Sequence, residues 1–552
     1  MSDIGIVLAL SLVITFLAQR WAGLDTPDSS FYASLSLFGD QITDRVPITS
    51  YFWTRLGYIG PVQVLTTVFG TWTGFAAWRF FLIFIMIASS YFLLRRFSHR
   101  ATSTWLTAII SLSTVPLSYF GNTYLTGAVL AGTSALIYCA VSGTRGALIL
   151  SGITLGWLTM VNPTGVLLAG TIWLAIMVHQ HVAKSQLHAL LPAVLTAAVS
   201  TVVTFMLFLG WGRIIFPKMN WFEAYLDAQQ ITLSNFSSGE NVFLKDISII
   251  VIALVLVIVI ALWIFQRRSG ATQLALVIAA TSIGFMLVFN PLMGGIALEA
   301  PMYQSMLWPP ALMALGLALS AYLPKEHRTS ISTASAALLG IALVLAAGFM
   351  APDISLITGW ILGITLAALV VISVRLSRNS VILVAGIALF LAGAQLLQNS
   401  RDDLGLYYLS PYSWAFASNP ISEKIHTAVN SQEWLLAKTS SSDQIMLWVD
   451  GPWVQGDREL YVAAGMQLWG ENRITLEPTL AEVDIARLNE FRPTTLAMYG
   501  KSMDAVYQFW QSIPTTNNAS TPTCYDYAWP ADSSSDFPTE EGHTCLTSLS
   551  WN

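Results

Sequence analysis

Long apolar runs separated by short polar connections cover the first 398 residues of the chain. An apolar run of roughly 20 residues is long enough for a helix to cross the hydrocarbon core of a bilayer. The pattern therefore predicts an α-helical polytopic membrane domain over residues 1–398. Its thirteen predicted spans lie near residues 4–20, 73–94, 104–120, 124–142, 146–161, 163–179, 189–211, 246–266, 272–290, 302–323, 331–350, 354–374 and 380–398. At Asn162-Pro163, one kinked helix with a re-entrant piece is the alternative to two spans.

The pattern changes after residue 398, where prolines, serines and charged residues become frequent. Helical and strand-like segments then alternate, which predicts a small α/β domain over 399–552 with a parallel sheet. The predicted elements are helices 420–438, 457–468, 480–490 and 502–512 and strands 444–450, 473–476 and 494–499. The tail at 514–552 is rich in Ser, Thr and Pro, and we predict that it is irregular.

Basic residues lie in every second short connection between the predicted spans. The opposite short connections, at 121–123, 162, 291–301 and 351–353, contain neither Lys nor Arg. The positive-inside rule therefore predicts a multi-pass plasma-membrane protein with a cytoplasmic N-terminus and an extracytoplasmic C-terminal domain. The eleven basic residues on the predicted cytoplasmic side are Arg95, Arg96, Arg100, Arg145, Lys184, Arg267, Arg268, Lys325, Arg328, Arg375 and Arg378.

Two long connections, 22–71 and 212–245, then lie on the outer face. The apolar part of the first, 56–70, could be counted as a further span, but it is short and contains Gly57, Gly60 and Pro61. Counting it would place the Arg pairs outside, so we predict an interfacial helix there instead. A loop as long as 212–245 in a compact protein is usually functional.

Composition narrows the choice of partners and compartment. The 552 residues are 55% hydrophobic, the mean hydropathy is +0.61, and the net charge of −5 argues against a nucleic-acid partner. Of the three cysteines, Cys139 falls in a span, where we expect a small packing residue. Cys524 and Cys545 both fall in the predicted outer tail, where oxidising conditions favour a disulfide between them.

Charged residues are concentrated in the first outer loop, although only 10% of the chain is Asp, Glu, Lys or Arg. Two of its stretches, 29–39 and 52–70, have the length and character of amphipathic or apolar helices. Carboxylates and guanidinium groups beside a bilayer are costly to keep without a use. We therefore interpret 22–71 as the segment that carries the chemistry of a membrane enzyme.

This arrangement resembles the GT-C glycosyltransferases, and most of all the protein mannosyltransferase and aminoarabinose transferase group. The motif that carries the resemblance is Asp25-Thr-Pro-Asp28-Ser-Ser-Phe-Tyr32, followed by Tyr51-Phe-Trp-Thr-Arg55, Pro61 and Phe69-Gly70. Many members place two acids adjacent or as Asp-x-Asp, whereas the spacing here is Asp-x-x-Asp. The oligosaccharyltransferase motif Trp-Trp-Asp-Tyr-Gly is approached only by Trp448-Val-Asp-Gly451, so peptide-Asn transfer is not expected.

The resemblance implies a polyprenyl-phosphate sugar as donor and a glycan, lipid or protein as acceptor. The acceptor hydroxyl must lose a proton, so a carboxylate within ~3 Å is needed as general base. Asp28 is the first choice and Asp25 the second, although Asp28 could instead cap a following helix. The leaving phosphate needs cations, and Arg suits this role. The candidate phosphate ligands are Arg55, Arg213, Lys218 and Arg79.

Further side chains are candidates for binding the substrate or acceptor: Tyr32, Asp40, Asp44, Tyr58, Trp221, Glu299 and Tyr303. The aromatic residues could stack on sugars, with core packing or an interfacial belt as the alternative. Asp40 and Asp44 could instead hold Mg²⁺ or Mn²⁺, because these ions prefer oxygen ligands. A solvated turn is the simpler interpretation of the same two carboxylates.

Two other classes of function compete with the enzyme. A transporter or lipid flippase would show inverted repeats and broken helices in both halves, but the sequence contains no such repeat. A non-catalytic assembly protein could use the acidic loop only as a binding surface. The C-terminal domain lacks Gly-x-Gly-x-x-Gly, so we predict no nucleotide cofactor.

Overall fold

The computed structural model of the protein describes most of the first 321 residues and parts of the C-terminal domain. All structural statements below concern these residues. They are 2–17, 32–33, 35–37, 39, 50–111, 120, 125–217, 219–235, 247–265, 269–292, 306–321, 431, 434–435, 437–440, 443–449, 473–477, 492–500, 502–513, 518–529 and 540–551.

The described part of the membrane domain is helical throughout. Its helices are α1 (Asp3–Leu17), α2 (Ser50–Trp53), α3 (Leu56–Phe69), α4 (Thr71–Arg95), α5 (Arg100–Ser111), α6 (Thr126–Ser142), α7 (Arg145–Val161), α8 (Pro163–Ala183), α9 (Leu190–Ile215), α10 (Trp221–Asn235), α11 (Ile247–Phe265), α12 (Gly270–Leu292) and α13 (Trp308–Ser320). A short 3₁₀ turn, Leu187–Ala189, precedes α9.

Four described helical segments are long and apolar enough to cross a membrane: Thr73–Arg95, Pro163–Ala183, Leu187–Ile215 and Gly270–Val288. Shorter apolar helices occupy other predicted spans, among them α1, α6, α7 and α13. The predicted spans at 331–350, 354–374 and 380–398 lie outside the described residues. The structure therefore agrees with a polytopic helical protein, and the total of thirteen spans stays a prediction.

Two separate helices meet at Asn162-Pro163, as the sequence predicted. The backbone of Asn162 is extended, with φ −154° and ψ 107°, so the helical path is interrupted there. Its side-chain oxygen accepts hydrogen bonds from the amides of Thr164 at 3.0 Å and Gly165 at 3.1 Å. Asn is a preferred N-cap and Pro a preferred first helical residue. The local sequence thus ends α7 and begins α8.

Helix α6 lies at the centre of the described bundle, and almost all of its side chains are buried. It contacts α4, α7, α8 and α13. A Cβ atom at Gly132 would meet the Leu158 side chain at 2.7 Å, so the absence of a side chain lets α7 approach closely. A helix that is apolar on every side is the pattern expected for a buried element.

One end of the bundle is held together by polar contacts from basic residues. Arg100 Nε lies 2.6 Å and Arg95 Nε 3.5 Å from the carboxylate of Asp3, which also accepts a hydrogen bond from the Tyr91 hydroxyl. Arg96 donates to the Val141 carbonyl at 3.1 Å. These contacts join the start of α1 and the ends of α4 and α6, the connections predicted to be cytoplasmic. The side of the membrane that this end faces stays a prediction.

The C-terminal domain contains a six-stranded sheet and one described helix. The elements are β1 (Gln444–Val449), β2 (Arg473–Glu477), β3 (Thr495–Gly500), α14 (Met503–Ser512), β4 (Asn518–Ala519), β5 (Thr523–Trp529) and β6 (Glu540–Ser550). The order is β2-β1-β3-β6, and both β4 and β5 pair with β6. The β1–β2 and β1–β3 pairs are parallel, as predicted. The predicted helices 457–468 and 480–490 lie outside the described residues.

The prediction of an irregular tail at 514–552 is wrong. Strands β4, β5 and β6 belong to the tail, and β6 pairs antiparallel with β3. Strand β6 lies between β3 and β5, and it carries buried residues on both of its faces, such as Thr544 and its neighbour Cys545. Thr fits a pleated strand well. The many Thr and Ser residues made an inner strand look like a loop.

A disulfide joins Cys524 to Cys545, which confirms the predicted pairing. The two residues stand directly opposite each other in the register of β5 and β6. Cys139 is free and buried in α6, as expected for a packing residue.

Replacing both Cys524 and Cys545 by Ser is expected to destabilise the C-terminal sheet. The bond joins residues 21 positions apart, and closing such a loop contributes about 3 kcal/mol. Limited proteolysis of the full-length protein during heating should then cut the 518–551 region at a lower temperature than in the wild type. Cys139→Ala is the control and should leave that temperature unchanged. Equal temperatures for the double variant and the wild type would contradict the expectation.

Candidate functional site

Helix α3 lies over the ends of three bundle helices, away from the basic end. The indole Nε1 of Trp157, near the end of α7, donates to the carbonyl of Gly57 at 2.8 Å. A Cβ atom at Gly74, near the start of α4, would meet Thr66 Cα at 2.5 Å. At Gly60 a Cβ would contact the Trp211 ring of α9 at 3.4 Å. The glycines let α3 rest directly on the predicted outer end of the bundle.

The two long outer loops contact each other above this end. Helix α2 of the first loop packs against α10 of the second. The ring of Trp53 stacks on Phe216 with centroids 6.0 Å apart, and Phe216 in turn meets Trp221 at 6.0 Å. We call Trp53, Phe216 and Trp221 the aromatic seam. Because its rings come from both loops, it fixes the position of one loop against the other.

Arg55 occupies the break between α2 and α3, inside the stretch predicted as one helix over 52–70. Its amide donates to the Phe52 carbonyl at 3.2 Å, and its own carbonyl accepts from the amides of Tyr58 and Ile59. Arg55 is only 3% exposed. A buried guanidinium loses its hydration and needs compensation. The chain therefore holds a positive charge inside the junction of the two outer loops.

Tyrosine rings surround this junction. Tyr32 lies 5.5 Å from Phe52 and 6.1 Å from Tyr58, measured between ring centroids. Tyr58 also meets Trp78 of α4 edge-on at 6.0 Å. Tyr32 and Tyr58 are buried, and burial raises the pKa of Tyr58, so its phenol stays protonated. The aromatic packing continues from α2 and α3 into the bundle.

Gly39 lies inside the first outer loop and anchors its backbone. Its φ of +55° lies in the left-handed region, which glycine adopts without strain. A Cβ there would lie 3.5 Å from Gln63 Nε2 and 3.8 Å from the Ile215 side chain. The backbone at this position therefore rests against α3 and the end of α9, close to the second outer loop.

The structure brings together four of the predicted site residues: Tyr32, Arg55, Tyr58 and Trp221. Arg79 follows Trp78 in α4 and is half-buried, whereas Arg213 is exposed in the last turn of α9. The other predicted site residues lie outside the described part of the chain: Asp25, Asp28, Asp40, Asp44, Lys218, Glu299 and Tyr303. The identities of the base, the acceptor ligands and any cation ligands thus stay predictions.

Among the described residues, no group of three or more His, Cys, Asp or Glu side chains is arranged to hold a metal ion. Asp40 and Asp44, the residues predicted as alternatives for Mg²⁺ or Mn²⁺ binding, lie outside that part of the chain.

Tyr225 is a residue of this site that the sequence analysis missed. It follows Trp221 by one helical turn on α10, and its ring meets Phe205 of α9 edge-on at 5.8 Å. Burial raises the pKa of its phenol, and the nearby Arg55 guanidinium acts in the opposite direction. The helical spacing of Trp221, Tyr225 and the buried Ala228 marks an inward face and could have revealed it.

No protein-family model and no curated protein sequence matches the chain. The structure is similar to that of ArnT from Cupriavidus metallidurans bound to undecaprenyl phosphate. The two chains are 13% identical, the match covers 98% of this chain and 97% of that one, and the TM-score is 0.54. The apo state of the same ArnT gives a TM-score of 0.49 at 13% identity over the same shares.

The oligosaccharyltransferase of Archaeoglobus fulgidus, with a tethered acceptor peptide, matches 90% of this chain and 68% of its own at 11% identity, with a TM-score of 0.39. The match to ArnT with its lipid phosphate shows that this protein has the GT-C fold, which the sequence resemblance predicted.

Gly212 provides a test of the packing between the loops. A Cβ there would meet Leu56 Cδ1 and Trp221 Cζ2, both at 2.6 Å. Gly212→Val should therefore force α3 or the aromatic seam to move, which costs about 1–3 kcal/mol. Thermal unfolding in detergent should show a lower midpoint.

Gly210→Val is the matched control, because a Cβ at Gly210 meets nothing within 4 Å. Both changes replace Gly by Val in the same helix, so they share the same change in helix propensity. Equal midpoints for the two variants would contradict the close packing at Gly212.

Proposed function

We propose that this protein is an inverting glycosyltransferase that acts on the outer face of the plasma membrane. It would move a hexose or pentose from a polyprenyl-phosphate donor to a cell-envelope glycan, lipid or protein acceptor. The observation that carries the proposal is the buried guanidinium of Arg55 at the junction of the two outer loops. It lies in a fold shared with a protein whose structure holds undecaprenyl phosphate. A planar guanidinium matches phosphate oxygens.

The transfer is a single displacement at the anomeric carbon. The acceptor oxygen bonds to that carbon while the bond from the carbon to the phosphate oxygen breaks. The phosphate keeps the electron pair, and a carboxylate takes the acceptor proton. We assign the carboxylate to Asp28, with Asp25 as the alternative, because both precede Tyr32, whose ring lies in the packing around Arg55.

Positive charge beside the leaving phosphate lowers the barrier to this step. Arg55 provides it from the loop junction, and we propose Arg79, Arg213 and Lys218 as further phosphate ligands. Arg213 directly follows Gly212, which is in contact with Leu56 and Trp221, so its position at the edge of the junction supports this role.

We propose Asp40, Asp44, Glu299 and Tyr303 as ligands of the acceptor, together with the buried aromatic residues Tyr32, Tyr58 and Trp221. Asp40 and Asp44 carry oxygen ligands of the kind that Mg²⁺ or Mn²⁺ prefers, and a divalent cation there would add positive charge near the phosphate.

We propose a cytoplasmic N-terminus and an extracytoplasmic C-terminal domain. The polar contacts of Arg95, Arg96 and Arg100 gather at the end of the bundle opposite α3. The disulfide of the C-terminal sheet suits an oxidising compartment. This topology would place the donor phosphate in the outer leaflet.

The general base is tested by replacing each carboxylate in a deletion strain. Asp28→Asn should abolish the glycan modification that the wild-type gene restores, since losing a general base costs about 10²–10⁴ in rate. Asp25→Asn, the matched control in the same loop, should restore it. Mass spectrometry of the envelope glycans and immunoblots of the membrane protein give the two measurements.

The opposite pattern, with Asp25→Asn inactive and Asp28→Asn active, would move the base to Asp25. An envelope with identical glycans in the deletion and wild-type strains would overturn the proposed transfer.

A further inference from the structure

Helix α10 carries different chemistry on its buried face and on its exposed face. Its carboxylates, Glu223 and Asp227, are exposed. Its inward face carries the buried Trp221 and Ala228 and the half-buried Tyr225. The inward face of this helix thus carries a neutral phenol, whereas its carboxylates lie on the exposed face.

The ring of Tyr225 has a fixed position. It meets Phe205 at 5.8 Å with an interplanar angle of 86°, an edge-on geometry that favours one orientation. Helix α10 is in turn held on α2 and, through the aromatic seam, on the end of α9. Packing from two helices thus holds the ring of Tyr225 at the junction of the outer loops.

Arg55 and Tyr225 belong to different outer loops, but Arg55 lies just after α2, and Tyr225 lies on α10, the helix that packs against α2. Arg55 contributes a positive charge, and a tyrosine hydroxyl contributes one hydrogen-bond donor. A positive charge next to a neutral O–H donor complements an anion with several acceptor oxygens. A phosphate has this character, because one oxygen can face the guanidinium while another accepts from the hydroxyl.

We propose that the Tyr225 hydroxyl is a second hydrogen-bond donor to the phosphate of the lipid carrier, so that the first outer loop holds this group through Arg55 and the second through Tyr225. This inference rests on the proposed function, which assigns the polyprenyl phosphate to Arg55. It makes α10 part of the donor site, and it gives a role to the phenol on the inward face of this helix.

The donor must remain protonated to act. An ordinary tyrosine loses its proton near pH 10. Because the pKa of Tyr225 is raised by burial, with the Arg55 charge opposing it only in part, the hydroxyl keeps its proton throughout the neutral and mildly alkaline range. A bound phosphate anion would raise this pKa further. The contribution of Tyr225 to binding should therefore be constant between pH 7 and 9.

The test compares two lipids that differ only in the anionic group. Undecaprenyl phosphate and undecaprenol are titrated into the full-length protein in detergent. Tyr225→Phe keeps the ring and removes the hydroxyl, so it should weaken binding of the phosphate about 10- to 100-fold, the effect of losing one hydrogen bond to a charged group. Binding of the alcohol should be unchanged.

Tyr138→Phe is the matched control. Tyr138 lies in α6, and Arg96 at the opposite end of the bundle is placed over its ring. This variant removes a hydroxyl far from the loop junction and should bind both lipids as the wild type does. Arg55→Gln tests the proposed function separately, because it should also weaken binding of the phosphate alone.

The outcomes separate the two proposals. If Arg55→Gln weakens phosphate binding and Tyr225→Phe does not, the role of Tyr225 is overturned while the proposed function stands. If neither variant changes it, both are overturned. Equal weakening for phosphate and alcohol in Tyr225→Phe would mean a packing role and would also overturn the inference.

Tyr225→Gln supplies a neutral donor without the ring. Its retained preference for phosphate would support the inference if the Phe variant fails to fold, and its loss would overturn it.

Discussion

The burial of one positive charge where two outer loops meet is the constraint on which the rest of this site depends. Arg55 is 3% exposed, so its guanidinium is removed from bulk water. Such a charge is tolerated only if its surroundings are well ordered and polar groups or anions compensate it. The surrounding order comes from the aromatic seam, from the tyrosine rings beside α2, and from the close contact of α3 with the bundle.

Glycine positions make this contact possible. At Gly57 a Cβ would meet Val161 at 2.7 Å and the Trp157 carbonyl at 2.8 Å, and at Gly212 it would meet Leu56 and Trp221. Because these positions have no side chain, α3 packs directly on the ends of α7 and α9. This packing places Arg55, the residue before α3, at the junction of the outer loops. The helical bundle thereby supports the candidate site, which is formed by loops attached to it. The fold and the candidate site are coupled through these few close contacts.

Local patterns predicted most helices well, because apolar runs and helix caps act over a few residues. Asn162-Pro163 is an example, since an N-cap followed by Pro at the first helical position determines the break by itself. The prediction of an irregular tail was wrong for the opposite reason, because the tail is ordered by contacts between residues far apart in the chain. Strand β6 is stabilised by pairing with β3 on one side and β5 on the other, and its Thr and Ser residues carry no strong apolar alternation. Tyr225 was missed because nothing near it in sequence points to Arg55.

The sequence by itself determined that this is a polytopic helical membrane protein with an α/β domain whose first three strands are parallel, that its charges concentrate in the first long connection, and that Cys524 pairs with Cys545. These properties follow from the hydrophobicity, charge and chemical type of residues, which can be read locally along the chain. Only the tertiary structure decided which side chains meet. Arg55, Tyr58 and Tyr225 come together because α2, α3 and α10 pack on one end of the bundle, and such long-range packing depends on the combined shape of many residues far apart in the chain.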